Sequence, residues 1–142
     1  MMNHTQDTKK ANHTRSDAAD FSGKYCFDIE TDGLLDTMTK IHCVVLKDID
    51  TKTIYKYGPD ELDKALIHLE KAKLLIGHNV IAFDIPAIKQ CFKNFKLNAE
   101  LFDTLVATRL MYADIKDQDF KKINSGFPTK LIGRHSLKAW GF

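Results

Sequence analysis

What this 142-residue sequence lacks removes several classes of function at once. It has no apolar run of the length a membrane span needs, and its N-terminus is polar, without the apolar stretch of a signal peptide. It has no strong excess of either charge: 21 Lys and Arg face 19 Asp and Glu, for a net charge of +2. That balance excludes a chain that coats nucleic acid by bulk charge, so any nucleic-acid site must be local. Cysteine is scarce. Cys26, Cys43 and Cys91 are widely spaced and form no zinc pattern. Two of them lie in apolar, strand-like runs, and all are expected to be reduced core residues in a cytoplasmic setting. There is no internal repeat.

What is there reads as one globular domain. Hydrophobic residues make up 44% and charged residues 28%, ordinary proportions for a chain long enough to bury a core. Residues 1–22 are polar and read as a disordered leader, leaving 23–142 as the domain. Strand-like runs follow at 24–30, 40–46 and 52–57, joined by short turns, as in an antiparallel meander. Gly58-Pro59-Asp60 breaks the pattern, with Asp60 near a helix start. Leu62, Ala65, Leu66 and Leu69 then give a helical stripe. Leu74-Leu75-Ile76 is short and wholly apolar, as interior strands are. A helix is expected from Asp84, as its cap, to about Phe92. A brief strand comes at Leu101-Phe102, and a helix capped by Asp103 runs to Tyr112. Residues 113–133 read as a long polar loop, and Ser136 to Trp140 as the first turns of a helix, with Trp140 in the core. The order βββαβαβα implies an α/β fold, a mixed sheet with flanking helices.

The chemistry starts at Tyr25-Cys26-Phe27-Asp28-Ile29-Glu30-Thr31-Asp32-Gly33-Leu34. In a strand, residues two apart share a face and lie about 6.6 Å apart along the chain, so Asp28 and Glu30 point the same way. Cys26 shares that face, and Phe27 and Ile29 take the other. Two adjacent carboxylates repel, and the usual remedy is a hard cation between them. The plainer alternative is an edge strand with a solvated acidic face.

A second stretch, Gly77-His78-Asn79-Val80-Ile81-Ala82-Phe83-Asp84, leaves an interior strand and opens a helix. Ligands in α/β sheets bind at such strand ends. Taken alone, Asp84 could serve only as a cap, and His78 and Asn79 only as turn-formers. Asp103 is expected to cap its helix, a role in which Asn would serve as well.

Together, Asp28-x-Glu30 and His78-Asn79-x-x-x-Phe83-Asp84 resemble the first two motifs of the DEDD (DnaQ-like) 3′–5′ exonucleases. Asp103-Thr104-Leu105, Arg109-Leu110 and the late Gly133-Arg134-His135-Ser136-Leu137-Lys138-Ala139-Trp140-Gly141 are similar to the branch found at the N-terminus of phage family A DNA polymerases. The resemblance covers residues 24–142. It implies a ribonuclease-H-like fold holding two Mg²⁺ or Mn²⁺ ions in its complete site. Asp28, Glu30 and Asp84 match three of four acidic ligands and are the implied catalytic and metal-binding residues. The implied substrate is the 3′ end of single-stranded DNA, contacted by Thr31, Gly33, Leu34, Asn79 and Phe83, with Leu34 packing against a base. The implied setting is the cytoplasm, that of the host cell for a phage gene, with no membrane association.

One part of the family pattern is missing. The family's third motif is Tyr-x-x-x-Asp or His-x-x-x-x-Asp on a late helix, and its acid is the fourth ligand. Here Tyr112 is followed four residues later by Lys116, and His135 five residues later by Trp140. The domain is therefore expected to be C-terminally incomplete. A polymerase domain or downstream polypeptide that supplies the motif is the expected partner. The alternatives are a non-catalytic remnant that binds DNA or a polymerase partner, and a ribonuclease-H-like nuclease of another branch.

Overall fold

The strand that carries the paired acids, β1 (Lys24–Thr31), is the central strand of a five-stranded mixed sheet. The structure is a computed structural model and describes residues 20–142. The sheet order is β3-β2-β1-β4-β5, where β2 is Ile41–Asp48, β3 Ile54–Tyr57, β4 Leu74–Gly77 and β5 Glu100–Asp103. β1 pairs antiparallel with β2, and β2 with β3, as the meander reading requires. β1 pairs parallel with β4, and β4 with β5. β1 is therefore not an edge strand, although its pairing with β4 covers Lys24 to Cys26 and stops short of the acids.

Alternation along β1 sorts its residues as the sequence pattern demands. Tyr25, Phe27 and Ile29 are buried, while Lys24, Cys26, Asp28 and Glu30 are exposed on the opposite face. Burying each large apolar side chain contributes about 1.5–3 kcal/mol, and their partners are Val44, Leu46, Leu75, Leu69 and Ile88. These come from the other strands and from α1 (Leu62–Lys71) and α2 (Asp84–Cys91). The cysteines depart from the core reading. Cys26 is exposed, Cys43 and Cys91 are half-buried, and all three are free thiols. Cys26 lies on the open face of β1, which an apolar sequence run does not distinguish from the covered one.

The α1 stripe buries Ala65, Leu69 and, unforeseen, His68. Phe21 stacks on the His68 ring at 3.9 Å, Tyr25 and Tyr55 meet it edge-on, and the Tyr57 hydroxyl lies 2.9 Å from Nδ1. Burial pushes its pKa down to about 4, against a smaller opposing pull from Asp48. Most of the polar leader, residues 1–19, lies outside the described residues. Phe21 is already part of the packing.

Asp60 lies in a short 3₁₀ turn (Pro59–Glu61) ahead of α1, and no side chain caps that turn or the helix. Beyond β5 come α3 (Thr104–Met111), α4 (Ile115–Lys121) and α5 (Leu137–Trp140), with 3₁₀ turns at Ile123–Ser125 and Thr129–Leu131. Residues 113–133 are thus not a loop. Buried Asp119 accepts the Gly133 backbone N–H at 3.0 Å and ties α4 to the segment before α5. Phe127, Leu131 and Ala139 form a second small core there. Trp140 is 41% exposed instead of buried and leans on Tyr112, ring centroids 5.1 Å apart.

Candidate active site

The site forms where β1 and the start of α2 converge. Gly77 ends β4, and a Cβ there would lie 2.9 Å from the Phe27 carbonyl oxygen and 2.2 Å from Val80 Cγ1. Only glycine allows this close crossing, which carries the chain into the turn before α2. Asn79 takes a left-handed conformation in that turn, with φ +70°. Asparagine tolerates that region better than most residues. Its backbone N–H donates to Asp103 at 2.9 Å, and that of Ile81 donates to the other carboxylate oxygen at 3.0 Å.

Asp84 follows as the first residue of α2. It does not cap the helix. Phe83 holds the cap position, and no side-chain hydrogen bond closes the helix end. The Asp84 carboxyl is instead 3% exposed, and its Oδ1 has no hydrogen-bond partner. Its pKa is pushed up to about 6, first by burial and then by the charge of Asp28, with the Ile29 backbone N–H offsetting part of the rise. Asp28 is exposed as a residue, yet the protein around its carboxyl and the neighbouring charge of Glu30 raise its pKa too. The β1–β2 register shifts between Glu30 and Thr31, so the ladder becomes irregular just beyond the acids. Bulges of this kind are frequent beside active sites.

The loop after β1 is tightly folded. Asp32 accepts backbone N–H groups from Thr39 at 2.8 Å and Lys40 at 3.0 Å, and its second oxygen accepts the Thr39 hydroxyl. These bonds hold its carboxyl far below the usual range, the Thr39 hydroxyl foremost. Gly33 is needed for space, since a Cβ would meet Thr37 Oγ1 at 2.9 Å. The Thr31 hydroxyl donates to the Gly33 carbonyl at 2.8 Å, and the loop leaves Leu34 69% exposed. Phe83 is half-buried.

The structure thus brings Asp28 and Asp84 into electrostatic contact and sets Glu30 on the same face as Asp28. A buried, unpartnered carboxylate oxygen beside a second carboxylate suits a hard cation, for which oxygen donors are the preferred ligands. Among the described residues, however, no three His, Cys, Asp or Glu side chains stand close enough together to hold one ion.

Asp103 caps α3, as expected, accepting Leu105 and Val106 N–H at 2.9 and 3.4 Å. Its bonds to the Asn79 turn were not legible in the sequence. Burial pushes its carboxyl up, but these four N–H groups more than offset that and hold it below the ordinary value. His78 was also missed as a fixed side chain. The Thr104 hydroxyl donates to the Gly77 carbonyl at 3.2 Å, so His78 Nδ1–H donates to Thr104 Oγ1, 2.9 Å away.

A family model of the RNase H superfamily matches residues 25–126. The chain belongs to the RNase H superfamily. Its mixed five-stranded sheet with flanking helices is the fold class that the motifs implied. This RNase H-like chain is similar to the DNA-directed DNA polymerase of Escherichia phage T7, at 36% identity over 127 residues, covering 81% of the chain. It is similar to the DNA-directed DNA polymerase of Enterobacteria phage T3 at 35% identity over 127 residues, again covering 81% of the chain. It spans only 18% of the length of each. The resemblance to phage polymerases read from the motifs is borne out. No helix among the described residues of this RNase H-like chain is long and apolar enough to cross a membrane.

Proposed function

We propose that the chain is the 3′–5′ exonuclease part of a phage-type DNA polymerase, hydrolysing the 3′-terminal phosphodiester of DNA and so proofreading replication. The observation that carries this reading is the buried Asp84 carboxyl, its Oδ1 without a partner, beside Asp28 on the central strand. Asp28, Glu30 and Asp84 are the carboxylates that would hold Mg²⁺ or Mn²⁺. When bound, such ions polarise a phosphate, make hydroxide available near neutral pH and stabilise the leaving oxygen. The chain's own contribution is to orient. β1 fixes Asp28 and Glu30 on one face, α2 delivers Asp84, and the loop behind Gly33 offers Leu34 to a terminal base. Asn79 and Phe83 flank the path of the last nucleotides. The partners in this reading are a single-stranded DNA 3′ end and the remainder of a polymerase, in the cytoplasm of the host.

A second reading is favoured by one observation, the lack of a metal-holding trio among the described residues. In it the chain is a non-catalytic remnant that binds DNA or a polymerase partner. Digestion of a 3′-labelled single-stranded oligonucleotide with Mg²⁺ or Mn²⁺ separates the two. The chain alone is expected to release few or no mononucleotides, and a downstream polypeptide carrying Tyr-x-x-x-Asp is expected to restore release. Failure to restore it would favour the non-catalytic reading.

A further inference from the structure

Three segments distant in sequence wall a cavity of about 430 Å³. They are the His78-Asn79 turn, Arg109 on α3, and Arg134-His135-Ser136 ahead of α5. Two of the three are anchored from behind. Thr104 holds His78, Asp103 holds Asn79, and Asp119 holds the Gly133 N–H, immediately before Arg134. Gly133 itself has φ +70° and turns the chain so that the next three residues line the cavity. No carboxylate is among the lining residues. Neither arginine takes part in an ion pair among the described residues. His135 Nδ1 is buried and has no hydrogen-bond partner. Ser136 Oγ accepts the Ala139 N–H, which leaves its own O–H free to donate.

We propose that this cavity is a binding site for a phosphate group of a nucleotide or nucleic-acid strand. Two guanidinium groups, an amide and a hydroxyl line it with no acid among them, a donor set that suits a phosphate. The volume matches sites that enclose a small molecule. The His78-Asn79 turn and the Gly133 segment are fixed by bonds within the protein that involve no metal. The inference rests on the nuclease reading only for its biological purpose, which would be to hold the strand as its end enters the carboxylate site. The binding itself uses none of the three acids.

The test is a titration in EDTA, followed by NMR of the His78 and His135 ring protons. The probes are inorganic phosphate, thymidine 5′-monophosphate and a tetrathymidylate without terminal phosphates. Saturable shifts of both rings are expected. Arg109→Ala and Arg134→Ala should each weaken binding, together by about tenfold or more, as for loss of charge-assisted hydrogen bonds. Lys93→Ala, remote from the cavity, should leave it unchanged. If an alanine variant melts early, lysine at that position keeps the charge and should still weaken binding, because the planar fork is lost. Tighter binding of the tetranucleotide assigns the site to a strand backbone, and tighter binding of the monophosphate assigns it to a free nucleotide. Either outcome supports the site. Absence of ring shifts with all three probes overturns it, as does an equal loss in Lys93→Ala or full affinity in the double arginine variant. Asp84→Asn should still bind the probes in EDTA. Phosphate binding in EDTA without metal-dependent cleavage, even when a downstream polypeptide carrying Tyr-x-x-x-Asp is supplied, would refute the nuclease reading and leave this site standing.

Discussion

The Asp103 carboxylate on the α3 cap accepts the backbone N–H of Asn79, 24 residues earlier, at 2.9 Å. This bond holds Asn79 in its left-handed conformation and fixes the turn from which Asp84 projects toward Asp28. A residue that looks like an ordinary helix cap therefore sets the geometry between the two motifs.

Asp103→Asn is accordingly not the neutral change that a cap alone would permit. Both carboxylate oxygens are in use, and an amide NH₂ would face an N–H donor. A loss of about 1–3 kcal/mol is expected, the range for leaving a buried donor unpaired. Urea unfolding measures it. A variant as stable as wild type would mean the turn holds itself.

Two buried groups titrate in the same window with opposite sign. Asp84 has its folded pKa raised from 3.8 to about 6, so the folded state holds the extra proton, and stability falls as pH rises from 4 to 6. His68 is lowered from 6.5 to about 4 and stays neutral in the fold. Its contribution is present above pH 6.5 and is lost as pH falls toward 4. At 1.36 kcal/mol per pKa unit, each reaches roughly 3 kcal/mol at its limit. In the metal-free wild type these two contributions should therefore oppose one another between pH 4 and 6.5. Asp84→Asn should gain stability with rising pH, and His68→Phe should lose it. Chemical denaturation across this range in EDTA reads the slopes; parallel slopes in all three proteins would refute the assignment.

Leu34 tests the substrate side alone. At 69% exposure it contributes little to folding, so Leu34→Ala should change stability by no more than about 0.5 kcal/mol. Affinity for a single-stranded 3′ end should fall severalfold, as for partial loss of the burial of three side-chain carbons. Fluorescence anisotropy with a labelled oligonucleotide gives the answer, and equal affinity would remove Leu34 from the nucleotide path.

The sheet and the acids were legible because they rest on local periodicity. Alternation placed Asp28 and Glu30 on one face, and the apolar run 74–76 gave the interior strand β4. Exposure was less legible. Cys26 sits in an apolar run, and only the packing of both helices on the other face leaves it open. α4 escaped notice because its seven residues, Ile-Lys-Asp-Gln-Asp-Phe-Lys, bury only Ile115 and Asp119. The sequence offers Asp84 both as a helix cap and, through the family resemblance, as a metal ligand, and burial of its carboxyl has no local signature that decides between them. The Asp103–Asn79 and His78–Thr104 bonds span 24 and 26 residues, and hydrogen bonds of that range leave no spacing to read.

Asp28 and Asp84 together are proposed to hold a divalent cation. Calorimetric titration of Mn²⁺ into wild type, Asp28→Asn and Asp84→Asn tests it most directly. Wild type should bind with micromolar-to-millimolar affinity, roughly as expected for a site of few carboxylates, and gain thermal stability with added metal. Each variant should bind about tenfold more weakly or not at all, since one ligand charge is gone. Unchanged affinity in both variants would contradict the account and leave these acids as structural residues.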